Sequence, residues 1–186
     1  NEMSIKDHFI YQWDMKFQER VPMANDFESR LNEPEYPRMT PEQQAVWDAY
    51  FEPRNAAFLA SPPTGKDLVR WKYQRYIKNY LRCIDSVDEN VGRVLNYLDE
   101  NGLTENTIVV YSSDQGFYLG EHGWYDKRWM YEESMRMPFL IRWPEKIAPG
   151  TRHEQLIQNI DYAPTFLEAA GVEAPQGIQG KSMISL

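Results

Sequence analysis

Apolar residues recur at three- and four-residue steps from Lys66 to Glu100: Ile77, Tyr80, Leu81, Ile84, Val87, Val91, Val94, Leu95 and Leu98. That spacing predicts one long amphipathic helix. Asn101-Gly102 is placed to end it as a C-cap, and Gly92 inside it marks a close-packed point at a cost of about 1 kcal/mol against alanine. Cys83 falls near the apolar face and reads as a core residue, since no histidine lies nearby in sequence to activate it. Upstream, Thr40-Pro41-Glu42-Gln43 has the form of a capping box with proline at the first helical position, predicting a short helix to about Tyr50. Ser61-Pro62-Pro63-Thr64-Gly65 reads as a sharp turn or linker.

The pattern then changes period. Thr107-Ile108-Val109-Val110-Tyr111 is an apolar, β-branched run that stops at Ser112-Ser113-Asp114-Gln115-Gly116. It predicts a strand whose carboxyl end presents polar groups, as open α/β sheets do. Phe139-Leu140-Ile141-Arg142-Trp143, between Pro138 and Pro144, predicts a second strand, and Leu156-Ile157 begins a third apolar segment. A helix capped by Asp161 runs to about Ala170, with Pro164 in its first turn and Gly171 at its end. The order helix, strand, loop, strand, helix predicts a layered α/β domain, with few strands for an independent sheet. Two regions follow: residues 1–65, irregular and loop-rich with one short helix, and residues 66–186, the α/β part.

Composition narrows the partners. With 186 residues and a net charge of −8, the chain does not suit a nucleic-acid backbone as partner. No apolar stretch approaches the length of a membrane span. A single cysteine excludes an intrachain disulfide and a cysteine-rich metal site. Asp7, His8 and Asp14 match no ligand spacing and read as surface loop.

The candidate chemistry lies between the two strands. Asp114 offers an anionic oxygen and Gln115 a neutral carbonyl, a hard donor pair suited to Ca²⁺ or Mg²⁺. Adjacent side chains converge only where the backbone turns, and Gly116 permits such a turn. His122, between Gly120-Glu121 and Gly123, suits a donor to an anionic substrate or a general acid. Lys127 offers a point positive charge; Arg128 offers a fork for a carboxylate or sulfate, or equally a pair with Glu132. The aromatics Phe117, Tyr118, Trp124, Tyr125 and Trp129 serve equally well as sugar platforms or as packing.

Singly these features are weak; in sequence they are specific. SSDQG, LGEHGWYDK and MYEESMRMPFLIRWP together resemble the sulfatase family of the alkaline-phosphatase-like superfamily. Residues 80–93 resemble the helix before the family's metal-binding strand, residues 159–171 its "vD-aPT-ld-aG" segment, and Gly180-Lys181-Ser182 its following "G-x-S". The resemblance covers about Arg70 to Leu186. It implies a partial alkaline-phosphatase-like sandwich, a mixed β-sheet flanked by helices that is incomplete without an N-terminal half. It further implies that Asp114 and Gln115 bind a divalent cation, usually Ca²⁺, with Mg²⁺ as the alternative. Relatives often carry asparagine or histidine at the position of Gln115, and glutamine is one methylene longer than asparagine. Lys127, before Tyr131-Glu132, implies a contact to the sulfate group, and His122 implies a histidine facing the substrate pocket and protonating the leaving alcohol. The glycan-directed branch, with N-acetylglucosamine-6-sulfatases, is the nearest in context, so the implied partner is a sulfated sugar and the parent an exported protein.

The family's nucleophile is a formylglycine made from a C/S-x-P-S-R motif, which this sequence does not contain; Cys83-Ile84-Asp85-Ser86-Val87 is not one. The N-terminal paired aspartates of the metal site are also missing. The expectation is therefore the C-terminal portion of a sulfatase catalytic domain, inactive and weakly Ca²⁺-binding alone, partnered by the missing N-terminal half. Two other readings stay open: a phosphonate or phosphodiester hydrolase of the same superfamily, and a non-catalytic relative that binds sulfated glycan.

Overall fold

The computed structural model describes residues 36–144 and 146–186. Asp7, His8 and Asp14 lie outside the described residues. Helix α1 spans Pro41–Ala60 and helix α2 spans Gly65–Glu100. Strand β1 (Val109–Ser112) is followed by short strands β2 (Tyr118–Leu119) and β3 (Tyr125–Asp126), the single-turn helix α3 (Glu132–Met135), strand β4 (Phe139–Arg142) and helix α4 (Tyr162–Ala169).

The described residues form two compact units. One holds the described residues up to Asn90 together with Phe117–Arg128; the other holds Val91–Gly116 with Trp129–Leu186.

In the first unit, α1 begins as expected. The Thr40 hydroxyl accepts from the Gln43 N–H at 3.3 Å, and the Gln43 side chain accepts from the Thr40 N–H at 2.9 Å. The helix does not stop near Tyr50 but continues through Pro53 to Ala60. Burial accounts for the difference. Phe51 and Phe58, two turns apart on one face, are both 5% exposed, and Phe58 packs with Leu68 and Trp71 of α2. Packing of an apolar face outweighs the roughly 3 kcal/mol that an interior proline costs.

Helix α2 spans the predicted length. Its end is a Schellman motif: Leu103 N–H donates to Leu98 O at 2.9 Å and Gly102 N–H to Asp99 O at 3.2 Å, with Gly102 at φ +65. Its predicted apolar face is only partly covered. Ile77, Tyr80, Val91, Leu95 and Leu98 are half-buried, whereas Leu81, Ile84, Val87 and Val94 are exposed. Cys83, expected in the core, is exposed, because residues 81–90 are exposed throughout. Nor does Gly92 mark close packing, since a Cβ there meets nothing within 4 Å.

In the second unit, β1 pairs antiparallel with β4, from Val109↔Arg142 to Ser112↔Phe139. Phe139 stacks on Tyr162 of α4 at 5.4 Å between ring centroids. Leu156-Ile157 forms no strand; residues 151–158 have no regular structure and Leu156 is 98% exposed. Helix α4 ends in a second Schellman motif, with Val172 N–H on Leu167 O and Gly171 at φ +69. Asp161 stands at its N-cap but makes no capping bond; its carboxylate is used elsewhere. Among the described residues no helix is long and apolar enough to cross a membrane.

Candidate functional site

The loop after β1 is held by side-chain hydroxyls. Ser112 Oγ donates to Pro138 O at 3.0 Å and lies 2.7 Å from the Tyr162 hydroxyl. Ser113 Oγ donates to Gln115 O at 2.8 Å and accepts from Gln115 N–H at 3.4 Å, closing a turn around Asp114. Asn159 Nδ2 donates to the Asp114 carbonyl at 3.0 Å. The role of Gly116 differs from the turn expected of it. It is absent from the positive-φ glycines, and its N–H donates to Ser134 O at 2.9 Å. A Cβ on it would stand 2.2 Å from Glu133 O and 2.7 Å from Arg136 O. Glycine is required because the chain passes directly against the backbone of α3. The result leaves the Asp114 carboxylate exposed and Gln115 half-buried beside it. Their oxygens suit a hard cation, and among the described residues no three His, Cys, Asp or Glu side chains group as a metal site. Two residues supply only part of the roughly six to eight oxygens that Ca²⁺ takes.

His122, Lys127 and Arg128 belong to the other unit, on a hairpin that the sequence pattern leaves as loop. Strands β2 and β3 pair antiparallel, Tyr118↔Asp126 and Leu119↔Tyr125. Between them Gly120 (φ +122), His122 (φ +57) and Gly123 (φ +75) turn the chain tightly, and Glu121 accepts from Leu119 N–H at 2.6 Å. Gly120 is also steric: a Cβ there would stand 2.6 Å from the Tyr73 ring. Tyr118 (0% exposed) and Trp124 (2%) meet edge to face at 5.4 Å. The exposed His122 ring sits 6.2 Å from one and 5.6 Å from the other. These two aromatics are therefore packing that carries the imidazole. Tyr76 of α2 donates to Tyr118 O at 3.0 Å, and its ring lies 5.9 Å from Tyr125. Burial, reinforced by Tyr80 and Glu121, holds the Tyr76 hydroxyl far above its ordinary pKa, so it stays a donor.

Lys127 and Arg128 are exposed. Of the two pairings open to Arg128, the structure shows a carboxylate other than Glu132: its Nε meets Asp126 Oδ2 at 2.9 Å. Asp126 itself lies at φ +78, so two non-glycine residues in left-handed backbone flank this segment. Each such residue costs on the order of 1 kcal/mol and persists where surrounding structure enforces it.

Sequence reasoning missed three supports: Asn159, Tyr76 and Asp126. Asn159 opens the segment matched to "vD-aPT", but its partner lies 45 residues away. The following Asp161 ties down the tail. Its carboxylate accepts from Lys181 N–H at 2.9 Å and Gln158 N–H at 2.8 Å, and those two donors, Lys181 first, hold it below the usual carboxylate range. Gly180 passes so close that a Cβ would overlap Ile160 O.

Comparison with known proteins fits this arrangement. A family model described as N-sulphoglucosamine sulphohydrolase, C-terminal, matches residues 120–186. The chain is 48% identical over 182 residues to an N-acetylglucosamine-6-O-sulfatase of Bacteroides thetaiotaomicron, covering 98% of this chain and 32% of that protein. A solved structure described as a complex with its substrate D-glucosamine-2-N,6-O-disulfate superposes with a TM-score of 0.79 at 45% identity, over 94% of this chain and 35% of the other. A phosphonate monoester hydrolase from Silicibacter pomeroyi superposes with a TM-score of 0.58 at 28% identity, over 88% of this chain and 30% of the other. The chain belongs to the sulfatase family of the alkaline-phosphatase-like superfamily, and it spans about a third of the length of these relatives.

Proposed function

We propose that the protein carrying this chain is a sulfuric ester hydrolase that removes sulfate from a sulfated amino sugar. The observation that carries the reading is the 48% identity, across 98% of the chain, to a protein named for that activity. In this reading Asp114 and Gln115 hold a divalent cation, Ca²⁺ or alternatively Mg²⁺, as part of a larger oxygen set. When bound, such a cation stabilises charge on sulfuryl oxygens. Lys127 places a compact positive charge against the sulfate group. Arg128, whose Nε meets Asp126 Oδ2 at 2.9 Å, adds a second cation toward the same anion. His122, exposed above Tyr118 and Trp124, gives a proton to the leaving alcohol. The nucleophile, a formylglycine hydrate, comes from residues beyond this chain, because no C/S-x-P-S-R motif occurs within it.

The second reading, a phosphonate or phosphodiester hydrolase, is favoured by the superposition on a phosphonate monoester hydrolase. Assay of the full-length protein separates the two. Sulfate release from N-acetylglucosamine 6-sulfate is expected, and Lys127→Ala is expected to lower kcat at least about a hundredfold. Cleavage of a phenylphosphonate ester with no sulfate release would overturn the sulfatase reading.

A further inference from the structure

Helices α1 and α2 enclose a groove of about 410 Å³. Tyr50, Arg54, Trp71, Arg75, Lys78 and Arg82 line it, and none of the candidate residues of either unit does. Its character is opposite to that of the chain. The protein carries a net charge of −8, yet the groove brings three arginines and a lysine together with no acidic residue among the described lining.

The three arginines lie against aromatic faces and donate to neutral oxygens. The Arg54 guanidinium lies 3.7 Å from the Tyr50 ring centroid, Arg82 lies 4.4 Å from it, and Arg75 lies 4.1 Å from that of Phe51. Arg54 donates to Tyr50 O, and Arg82 donates to Asn79 Oδ1 at 2.8 Å and to the Tyr50 hydroxyl. Among the described residues, neither of these two arginines is paired with a carboxylate. A guanidinium stacked on a ring has its orientation fixed while in-plane N–H groups remain at its edge, the geometry that oxyanions accept. Trp71, half-buried against Phe58, adds an aromatic wall of the kind that pairs with a sugar face.

Helical periodicity adds a positional fact. At about 100° per residue, Trp71, Arg75, Lys78 and Arg82 share one face of α2. Tyr73, Tyr76 and Tyr80, which meet the His122 hairpin and the Phe117 ring beside it, share the opposite face. The groove is therefore a site separate from that hairpin.

We propose that this groove binds a sulfated oligosaccharide, with sulfate groups on the arginine edges and Lys78 and a sugar ring against the aromatic wall. The volume suits one or two sugar units. The choice of a sulfated saccharide over another anion rests on the sulfatase reading above; the groove's preference for multiply charged anions does not.

The test uses the full-length protein and an R54Q/K78E variant, both positions being exposed on the helix surfaces. Titration with a sulfated heparin-type tetrasaccharide is expected to show affinity at least about fivefold weaker in the variant, with a shallower salt dependence. Sulfate release from a monosaccharide ester and the thermal unfolding midpoint are expected to stay unchanged. Equal affinity of the two proteins for the tetrasaccharide would overturn the proposal. So would equally tight binding of the unsulfated tetrasaccharide, or of a poly-glutamate peptide. If no sulfate ester is turned over but the variant still loses tetrasaccharide binding, the groove stands and the enzymatic reading falls.

Discussion

The two segments that carry the candidate chemistry are held by different forces. The hairpin of His122, Lys127 and Arg128 rests on apolar burial: Tyr118 and Trp124 are almost wholly enclosed, and α2 supplies Tyr73 and Tyr76 beneath them. The loop of Asp114 and Gln115 has no such anchor. It is fixed by hydroxyl and amide hydrogen bonds from Ser112, Ser113 and Asn159, and by one backbone contact too close for any side chain. Burial holds a segment without dictating each dihedral, so the hairpin tolerates two left-handed non-glycine residues. A polar network dictates geometry bond by bond, and loses it the same way.

The same substitution in each segment gives the largest contrast. Gly116→Ala forces a Cβ to within 2.2 Å of Glu133 O, a backbone atom that no side-chain rotation can move. Little or no folded protein is expected. Gly123→Ala, at φ +75 with nothing within 4 Å of its Cβ, is expected to cost only about 1 kcal/mol for the left-handed backbone. Expression yield and chemical denaturation of the two variants check this. Similar stabilities would show that the loop is as adaptable as the hairpin.

Truncating the principal support of each segment comes next. Trp124→Ala removes a 2%-exposed indole and is expected to cost about 3–5 kcal/mol. Asn159→Ala removes one neutral hydrogen bond to the Asp114 carbonyl and is expected to cost about 1 kcal/mol. In the metal-binding reading, the Asn159 variant also binds Ca²⁺ more weakly by calorimetry, whereas the Trp124 variant, while folded, does not. A reversed order of the two stability losses would mean that the polar loop carries more of the fold than its contacts indicate.

What was legible in the sequence was the local part of these arguments. The Thr40–Gln43 capping box, the glycines that end α2 and α4, and the spans of β1 and β4 each depend on residues a few positions apart. The family was legible for a different reason: the order and spacing of several short motifs resemble it, and such a resemblance groups residues without stating what holds them. Long-range effects were hidden. Pro53 signals a break, but the burial of Phe51 and Phe58 outweighs it. Amphipathic spacing marks the face of α2 that favours burial, not which part of it is covered, so Cys83 was assigned to a core that it does not enter. Gly116 reads as a turn residue because its neighbours are turn formers, whereas the constraint comes from the α3 backbone at Glu133 and Ser134. Arg128 had a plausible partner at helical spacing in Glu132, but the helix begins only at that residue, leaving Arg128 outside it and paired with Asp126.

The smallest expected effect is the one that separates the two forces by pH. The Asp161 carboxylate accepts from Lys181 N–H and Gln158 N–H, tying the C-terminal tail to the turn that carries Asn159. These donors stabilise the charged form, so its pKa in the folded protein lies below the ordinary 3.8. A depressed folded pKa contributes stability that is present above the unfolded pKa and is lost as pH falls through the folded one. Asp161→Asn removes the charge and leaves a single side-chain oxygen for two donors. Its unfolding midpoint should therefore lie below wild type by a constant margin above about pH 5, and that margin should shrink below about pH 4 as wild-type Asp161 is protonated. Trp124→Ala removes no charge, so its larger cost should stay nearly flat over the same range. Thermal unfolding of the three proteins in steps from about pH 6 to pH 3 makes the comparison. A margin for Asp161→Asn that ignores pH would mean that the carboxylate acts there only as a shape, and the polar loop would then be held by packing, as the hairpin is.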